Sequence, residues 1–216
     1  MYILLTAATS FEIDPTLALL EKSEYNFNDH EIEVLITGIG QAAATYLLTY
    51  NLQNKRPDLV IQAGIAGNFT NELLLGQTVF VKQDAFGDLG MEEKEIFTSV
   101  FDAGFANKNN PPFTDGWLIN ENPILDNTTL QIVKAVTVNK VSDSLVQKQQ
   151  LINCFAPQIE TMEGAALHYV CLQENVPFIQ IRSISNEIGE RDKTKWKMKE
   201  AIKNLNNELQ KLINEI

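Results

Sequence analysis

The feature that most constrains the fold of this chain is a regular alternation of short apolar runs with longer helical patterns. The runs at residues 2–6, 32–37, 59–63 and 178–182 are rich in β-branched residues, and small or polar residues follow each one, which is typical of buried strands. Strands that alternate with helices form a largely parallel sheet with helices on both faces. The sequence therefore predicts a single-domain three-layer α/β/α sandwich over residues 1–216, with a central mixed, largely parallel sheet.

Weaker patterns predict the remaining elements. Residues 77–82 and 131–138 are predicted as further strands, the second followed by a loop at 139–144. Asp14 before Pro15 resembles an N-cap and N1 pair and predicts a helix over 15–22, and small and apolar residues predict another over 40–54. Residues 86–127 have no sustained period and predict a long functional loop. A terminal helix is predicted from residue 192. Its apolar face consists of Trp196, Ile202, Leu205, Leu209, Leu212 and Ile216. Trp196 could also belong to a cap near the ligand, but its helical spacing favours packing in the core.

Composition excludes several classes of partner. At 216 residues and 44% hydrophobic content, the chain can build one substantial core. A formal net charge of -11 disfavours nucleic acid and anionic membranes, because proteins that bind them collect Lys and Arg on one face. Cys154 and Cys171 have no metal-ligand spacing, and the first apolar run lacks the basic flank of a signal peptide. We therefore expect a cytoplasmic protein with no metal and no nucleic-acid or membrane partner.

Ligands of open α/β sheets gather outside the carboxyl ends of the strands, and two such ends carry candidate site residues. At the first, small residues precede Glu12, which could be a general base or merely a solvated acid near a helix start. At the second, Gly64, Ile65, Ala66 and Gly67 follow a buried strand, where glycines allow a close approach of backbone to ligand. Because the spacing matches neither a dinucleotide fingerprint nor a phosphate loop, this segment is either a pocket floor or a tight turn.

A third candidate combines a helix start with a strand end. Residues 160–166 open a helix, and Glu163 within them could accept hydrogen bonds from vicinal hydroxyls or be only a first-turn acid. Residues 182–186 end the last strand and include Arg182, Ser185 and Asn186. Both segments would meet at the edge of the sheet where the ligand is expected.

These segments resemble the purine nucleoside phosphorylase and nucleosidase superfamily, and the resemblance covers nearly the whole chain. Residues 162–166 look like the family's Met-Glu-Gly-Ala-Ala ribose motif, and residues 64–67 resemble its Gly-Ser/Ile/Val-Ala-Gly pocket strand. Glu12 falls where the hydrolytic branch keeps its water-activating glutamate. The resemblance implies an N-glycosyl hydrolase, a purine nucleosidase that uses water and no cofactor and that forms a homodimer.

The resemblance also implies a role for each site residue. Glu163 would bind the 2'- and 3'-hydroxyls of ribose, Met162 would line the sugar, and Glu12 would deprotonate the attacking water. Arg182 would hold Glu12 or nearby hydroxyls, unless it belongs to a structural ion pair. The other residues expected to contact substrate are Ile65, Ala66, Gly67, Phe86 and Ser185.

Asn186 is the informative departure from the family pattern, because methylthioadenosine nucleosidases carry an aspartate there that protonates purine N7. An amide has no proton to give, but it can bridge a 6-oxo group and a protonated N7, which favours hypoxanthine. Together with Ile65 in place of a serine and Thr161 in place of a glutamate, this points to the futalosine hydrolase branch, which releases hypoxanthine from futalosine in menaquinone biosynthesis.

Futalosine carries a carboxyphenyl group beyond the 5' carbon. Phe86 and other aromatic residues of the 86–127 segment could wall this group, unless they serve local packing, and Arg191 or Lys82 could pair with its carboxylate. The rival hypotheses are a methylthioadenosine/S-adenosylhomocysteine or aminofutalosine nucleosidase and, from another class, a non-catalytic nucleoside-binding regulatory protein. A phosphorylase is disfavoured because no glycine-and-arginine phosphate cradle follows the first strand.

Overall fold

The computed structural model describes residues 1–70, 72–94 and 96–216. The strands are β1 (Tyr2–Ala7), β2 (Asn26–Phe27), β3 (His30–Ile36), β4 (Leu59–Asn68), β5 (Thr78–Phe86), β6 (Gly90–Glu93), β7 (Ile96–Ser99), β8 (Leu118–Ile119), β9 (Gln131–Thr137), β10 (Ile159–Thr161) and β11 (Phe178–Glu187). The helices are α1 (Ser10–Lys22), α2 (Gln41–Asn54), α3 (Leu145–Phe155), α4 (Gly164–Glu174) and α5 (Met198–Glu215).

The strands form a mixed sheet in the order β10-β9-β5-β11-β4-β1-β3-β2, and β6 pairs with β7 in a separate hairpin. The pairs β1/β3, β1/β4, β4/β11, β5/β9 and β9/β10 are parallel, while β5/β11 is antiparallel. This confirms the predicted fold class. The sheet also closes on itself, because the end of β4 pairs with β10 and completes a ring of β4, β11, β5, β9 and β10.

Helices cover both faces of the sheet. On one face, α1 and α5 pack together against β1, β4 and β11, and on the other face α2 packs on α4. The apolar stripe of α5 is buried at Ile202, Leu205, Leu209 and Leu212, as predicted from its spacing. Within the described part of the chain, every helix is too short or too polar to cross a bilayer.

The predicted start of the first helix is wrong. Helix α1 begins at Ser10 after an N-cap at Thr9, and Pro15 lies inside it. Glu12 is therefore in the first turn of α1, where the N–H groups of the helix start face the carboxyl edge of the sheet.

Two further boundaries differ from the prediction. The segment 86–127 holds β6, β7, β8 and a short 3₁₀ turn at Pro123–Asn127, so it is not a loop without structure of its own. Helix α5 begins at Met198 rather than at residue 192, since a 3₁₀ turn at Lys193–Lys195 comes first. Trp196 consequently lies outside the helix.

Candidate active site

A pocket of about 280 Å³ lies where β1, β4 and β11 meet the first turns of α1 and α4. Its volume is near the lower end of the range of about 300–1,000 Å³ that is common for small-molecule sites. The sequence-predicted residues that line it are Glu12, Ile65, Ala66, Gly67, Met162, Glu163, Ser185 and Asn186. Thr161, whose difference from the family pattern also pointed to the pocket, lines it as well, and the residues that sequence analysis did not assign to it include Thr9, Phe11, Ile39, Val141, Glu160, Trp196 and Met198.

Glu12 is held by hydrogen bonds to both of its carboxylate oxygens. Its Oε1 accepts from the Ile65 backbone N–H at 3.1 Å, and its Oε2 accepts from the N–H and the hydroxyl of Thr9, both at 3.1 Å. The contact with the Thr9 N–H is the carboxylate half of a capping box. Since a carboxylate has about four acceptor positions, these three bonds fix its orientation and leave capacity for a water molecule.

Glu163 lines the same pocket at the N-cap of α4 and is only 5% exposed. Its Oε1 accepts from the Gly40 backbone N–H at 2.8 Å, at the start of α2. Burial raises the pKa of Glu163, while the positive charge of Arg182 and the Gly40 hydrogen bond act in the opposite direction. A carboxylate that is held at one oxygen can accept hydrogen bonds from the hydroxyl groups of a ligand at the other oxygen.

Asn186 and Ser185 both line the pocket because β11 is irregular at this point. Its register against β4 shifts between Ile184 and Asn186, whereas neighbours in a regular strand point to opposite faces. The Ser185 hydroxyl donates to Asn186 Oδ1 at 2.9 Å, and Asn186 Nδ2 donates to the Glu187 carbonyl at 3.1 Å. Each end of the Asn186 amide therefore keeps capacity for one more hydrogen bond.

Arg182 lies under the pocket floor rather than in the pocket wall. It is 1% exposed, and its Nη2 donates to the side-chain oxygen of Gln62. Its Nη1 would be 2.1 Å from a Cβ at position 64, so Gly64 is what makes room for the guanidinium beside Glu12. Among the ion pairs of residues 1–70, 72–94 and 96–216, none includes Arg182. The direct salt bridge to Glu12 that sequence analysis considered is thus absent there.

A buried chain of hydrogen bonds supports the first turn of α4. The backbone N–H groups of Gly164 and Ala165 donate to the hydroxyls of Thr161 and Thr137, at 3.3 and 2.7 Å. Thr137 in turn donates to Asp84 Oδ1 at 2.9 Å. Burial raises the pKa of Asp84 to about 7, although the bond from Thr137 acts to lower it. The chain ends on a carboxylate that is wholly inside the protein.

The mouth of the pocket is apolar. Phe11 and Ile39 are exposed at its rim, and half-buried Trp196 lines it, so the prediction that Trp196 packs in the core is wrong. The Trp196 indole donates to the Glu190 carbonyl at 2.9 Å, and the Lys197 N–H donates to the Ser185 carbonyl at 2.8 Å. The turn before α5 is therefore attached to the end of β11.

Phe86 and the other aromatic residues of the 86–127 segment do not join this pocket. The Phe86 ring packs against Phe113 and Tyr169, with centroids 6.4 and 6.0 Å apart. Of the two candidate partners for a carboxylate, Arg191 pairs with Asp143 at 3.1 Å, and Lys82 is outside the pocket lining. The described residues contain no group of three or more His, Cys, Asp and Glu side chains that could hold a metal ion.

Comparisons with known proteins agree with this architecture. The family model of the phosphorylase superfamily matches residues 19–216. A futalosine hydrolase from Thermus thermophilus is 28% identical over 191 residues, which cover 84% of this chain and 80% of that protein. A 5'-methylthioadenosine/S-adenosylhomocysteine nucleosidase from Bacillus cytotoxicus is also 28% identical, over 168 residues that cover 74% and 70%. The native structure of futalosine hydrolase from Helicobacter pylori matches with a TM-score of 0.80 at 18% identity, and the match covers 100% of this chain and 98% of that chain. At this identity the match shows a common fold alone.

Proposed function

Since the chain belongs to the phosphorylase superfamily, we propose that it is a nucleosidase that hydrolyses the N-glycosidic bond of futalosine and releases hypoxanthine. Its similar proteins include futalosine hydrolases and methylthioadenosine/S-adenosylhomocysteine nucleosidases at equal identity, so their names support a nucleosidase without separating the two substrates. The choice between them rests on the chemistry of Asn186.

The two glutamates that line the pocket suit hydrolysis through an oxocarbenium-like transition state. Glu163 would accept the ribose hydroxyls, and its negative charge would stabilise the positive charge that develops on the sugar. Glu12, with both oxygens fixed, would orient a water molecule and take its proton as the water attacks the anomeric carbon. Arg182, buried behind both residues, would limit the repulsion between the two carboxylates.

The observation that carries the futalosine assignment is an amide at the purine end of the pocket. An Asn side chain can pair with either adenine or a 6-oxopurine before the reaction, so ground-state binding does not discriminate. The difference arises as the bond breaks. Adenine leaves readily only when an acid protonates it, and Asn186 is no acid. On a departing 6-oxopurine the negative charge spreads to O6, where the remaining N–H of Asn186 would stabilise it.

A substrate panel tests the proposal. Purified protein is incubated in phosphate-free buffer with futalosine, aminofutalosine, methylthioadenosine or inosine, and the free base is measured by chromatography. We expect hypoxanthine from futalosine at a kcat/KM at least about tenfold above the adenine nucleosides, the equivalent of about 1.4 kcal/mol. Preferential release of adenine would refute the assignment to futalosine, and tight binding without release of any base would refute a nucleosidase.

We also propose that the protein acts as a cytoplasmic homodimer and that a second subunit covers the apolar mouth. Supporting this, Phe11 and Ile39 at the rim are large apolar residues that are 59% and 65% exposed. Light scattering after size exclusion measures the mass directly: a 24.3 kDa particle would be the monomer and would exclude the dimer.

A further inference from the structure

A buried asparagine of α5 is bonded to the backbone that carries Glu12. Asn206 is 1% exposed, and its Nδ2 donates to the Glu12 carbonyl at 2.9 Å and to the Ile202 carbonyl at 2.7 Å. Its Oδ1 accepts from the Thr16 N–H at 3.1 Å and from the Thr16 hydroxyl at 2.6 Å. Two N–H groups and two lone pairs are all that an amide offers, so Asn206 is fully satisfied.

The position of these bonds in α1 is informative. Glu12 and Thr16 are four residues apart, so the carbonyl of one and the N–H of the other are the natural partners of a helical hydrogen bond. Pro15 stands between them and has no N–H of its own, which weakens the hydrogen-bond ladder at this turn. The Asn206 amide therefore supplies a partner to both groups of one rung of the helix.

We propose that Asn206 is a positioning residue that sets the backbone of Glu12 and thereby the place of its carboxylate in the pocket. The carboxylate itself is fixed by Thr9 and Ile65, whose spacing from the Glu12 backbone depends on how tightly α1 is wound at this turn. Asn206 belongs to α5, which also packs on β11. The same helix therefore contacts both the backbone of the catalytic base, Glu12, and the strand that carries Asn186. This inference rests on the proposed function, in which Glu12 activates water.

Asn206→Leu is the direct test, since it keeps the approximate shape and removes all four hydrogen bonds. In this variant the Glu12 carbonyl and the Thr16 N–H can bond to each other. The helix is then kept, while the Glu12 carboxylate is expected to move. A displacement of about 1 Å at a catalytic group can lower the rate about 100-fold. We expect kcat on the substrate that the wild type cleaves to fall at least about tenfold, with KM within about twofold, because the base acts only as the water attacks.

Asn204→Leu is the matched control. Asn204 stands on the same helix and donates from Nδ2 to the Gly76 carbonyl at 2.8 Å, away from α1. Its loss removes this one hydrogen bond of α5, where Asn206→Leu removes four, so we expect a lower melting temperature with kcat within about twofold of wild type.

The possible outcomes separate this inference from the proposed function. A folded Asn206→Leu with kcat within about twofold of wild type overturns the positioning role, as does an equal loss in Asn204→Leu. If Asn206→Leu does not fold, Thr16→Val removes one of the bonds that hold the amide; a several-fold lower kcat supports the role, and an unchanged kcat overturns it. If the wild type releases no base from any substrate, the proposed function itself fails.

Discussion

Replacing Glu12 by Gln tests the catalytic base most directly, because the hydrogen bonds around it allow its structural cost to be separated from its chemical one. The amide would place an NH₂ group either against the Ile65 N–H or against the N–H and hydroxyl of Thr9. Either choice leaves a donor facing a donor, which costs about 1–3 kcal/mol. For a chain of this size, each kcal/mol lowers the melting temperature by about 2–4 °C, so we expect a loss of about 2–12 °C.

The chemical effect should be much larger. A general base contributes about 10²- to 10⁴-fold to the rate, so kcat should fall by that factor while KM stays close to wild type. Single-turnover release of base and thermal unfolding, measured on the same preparation, give both quantities.

Glu160→Gln provides the control. Glu160 is 5% exposed and, like Glu12, accepts hydrogen bonds from a backbone N–H and a hydroxyl, here both of Ser142. We expect a similar loss of stability with kcat reduced less than about tenfold. Glu12 is not the general base if Glu12→Gln keeps kcat within about tenfold of wild type, or if Glu160→Gln loses as much activity.

Three further predictions follow from the site. Asn186→Asp loses the N–H for O6 and should lower kcat/KM on futalosine about 5- to 150-fold while raising adenine release; retained futalosine activity would contradict this. Burial raises the pKa of Asp84 from 3.8 to about 7, so the contribution of its protonated form to stability is full below about pH 4 and is lost as the pH rises through 7. Between about pH 5 and about pH 8, the free energy of unfolding from urea melts should fall by up to about 3 kcal/mol more in wild type than in Asp84→Asn. Equal losses in the two proteins would refute this prediction. Gly164→Ala would put a Cβ 2.2 Å from Asp84 Oδ2 and Gln180 Nε2. We expect the free energy of unfolding to fall by about 1–3 kcal/mol and the apparent affinity for ribose to weaken, and an unchanged melting temperature would contradict this.

The sequence was sufficient to predict most strands of the core and the motif residues of the pocket, but β10 was missed because residues 160–166 were predicted to open a helix, which begins only at Gly164. Runs of β-branched residues mark buried strands such as β1 and β4. The glycines at 64 and 67 indicated a close approach of backbone to other groups, and a Cβ at either position would collide with a neighbouring side chain. The start of α1 was missed because Pro15 was interpreted as the first helical residue. The spacing of Thr9 and Glu12 is the signature of a capping box and could have corrected it.

Other features depend on contacts between segments far apart in the chain. Trp196 was assigned to the core, although it precedes Ile202 by two residues more than one helical turn, a spacing that does not fit a single helix face. The burial of Arg182 beneath Gly64 and the bonds of Asn206 to α1 arise only when strands and helices are assembled. The helical spacing places Asn206 on the apolar face of α5, four residues after Ile202 and three before Leu209, but it does not show which backbone groups the amide bonds.

The closed ring of β4, β11, β5, β9 and β10 has a consequence for how ligands enter. Each of these strands has a partner on both sides, so an amide within the ring exchanges its hydrogen only when the ring itself opens. Of the pocket floor, Ala66, Gly67 and Asn186 lie on two of these strands, whereas the Ile65 N–H is bonded to the Glu12 carboxylate. The floor should therefore be among the slowest regions to exchange with deuterium, and the motions that admit substrate should belong to the mouth, at the start of α1 and the turn that carries Trp196.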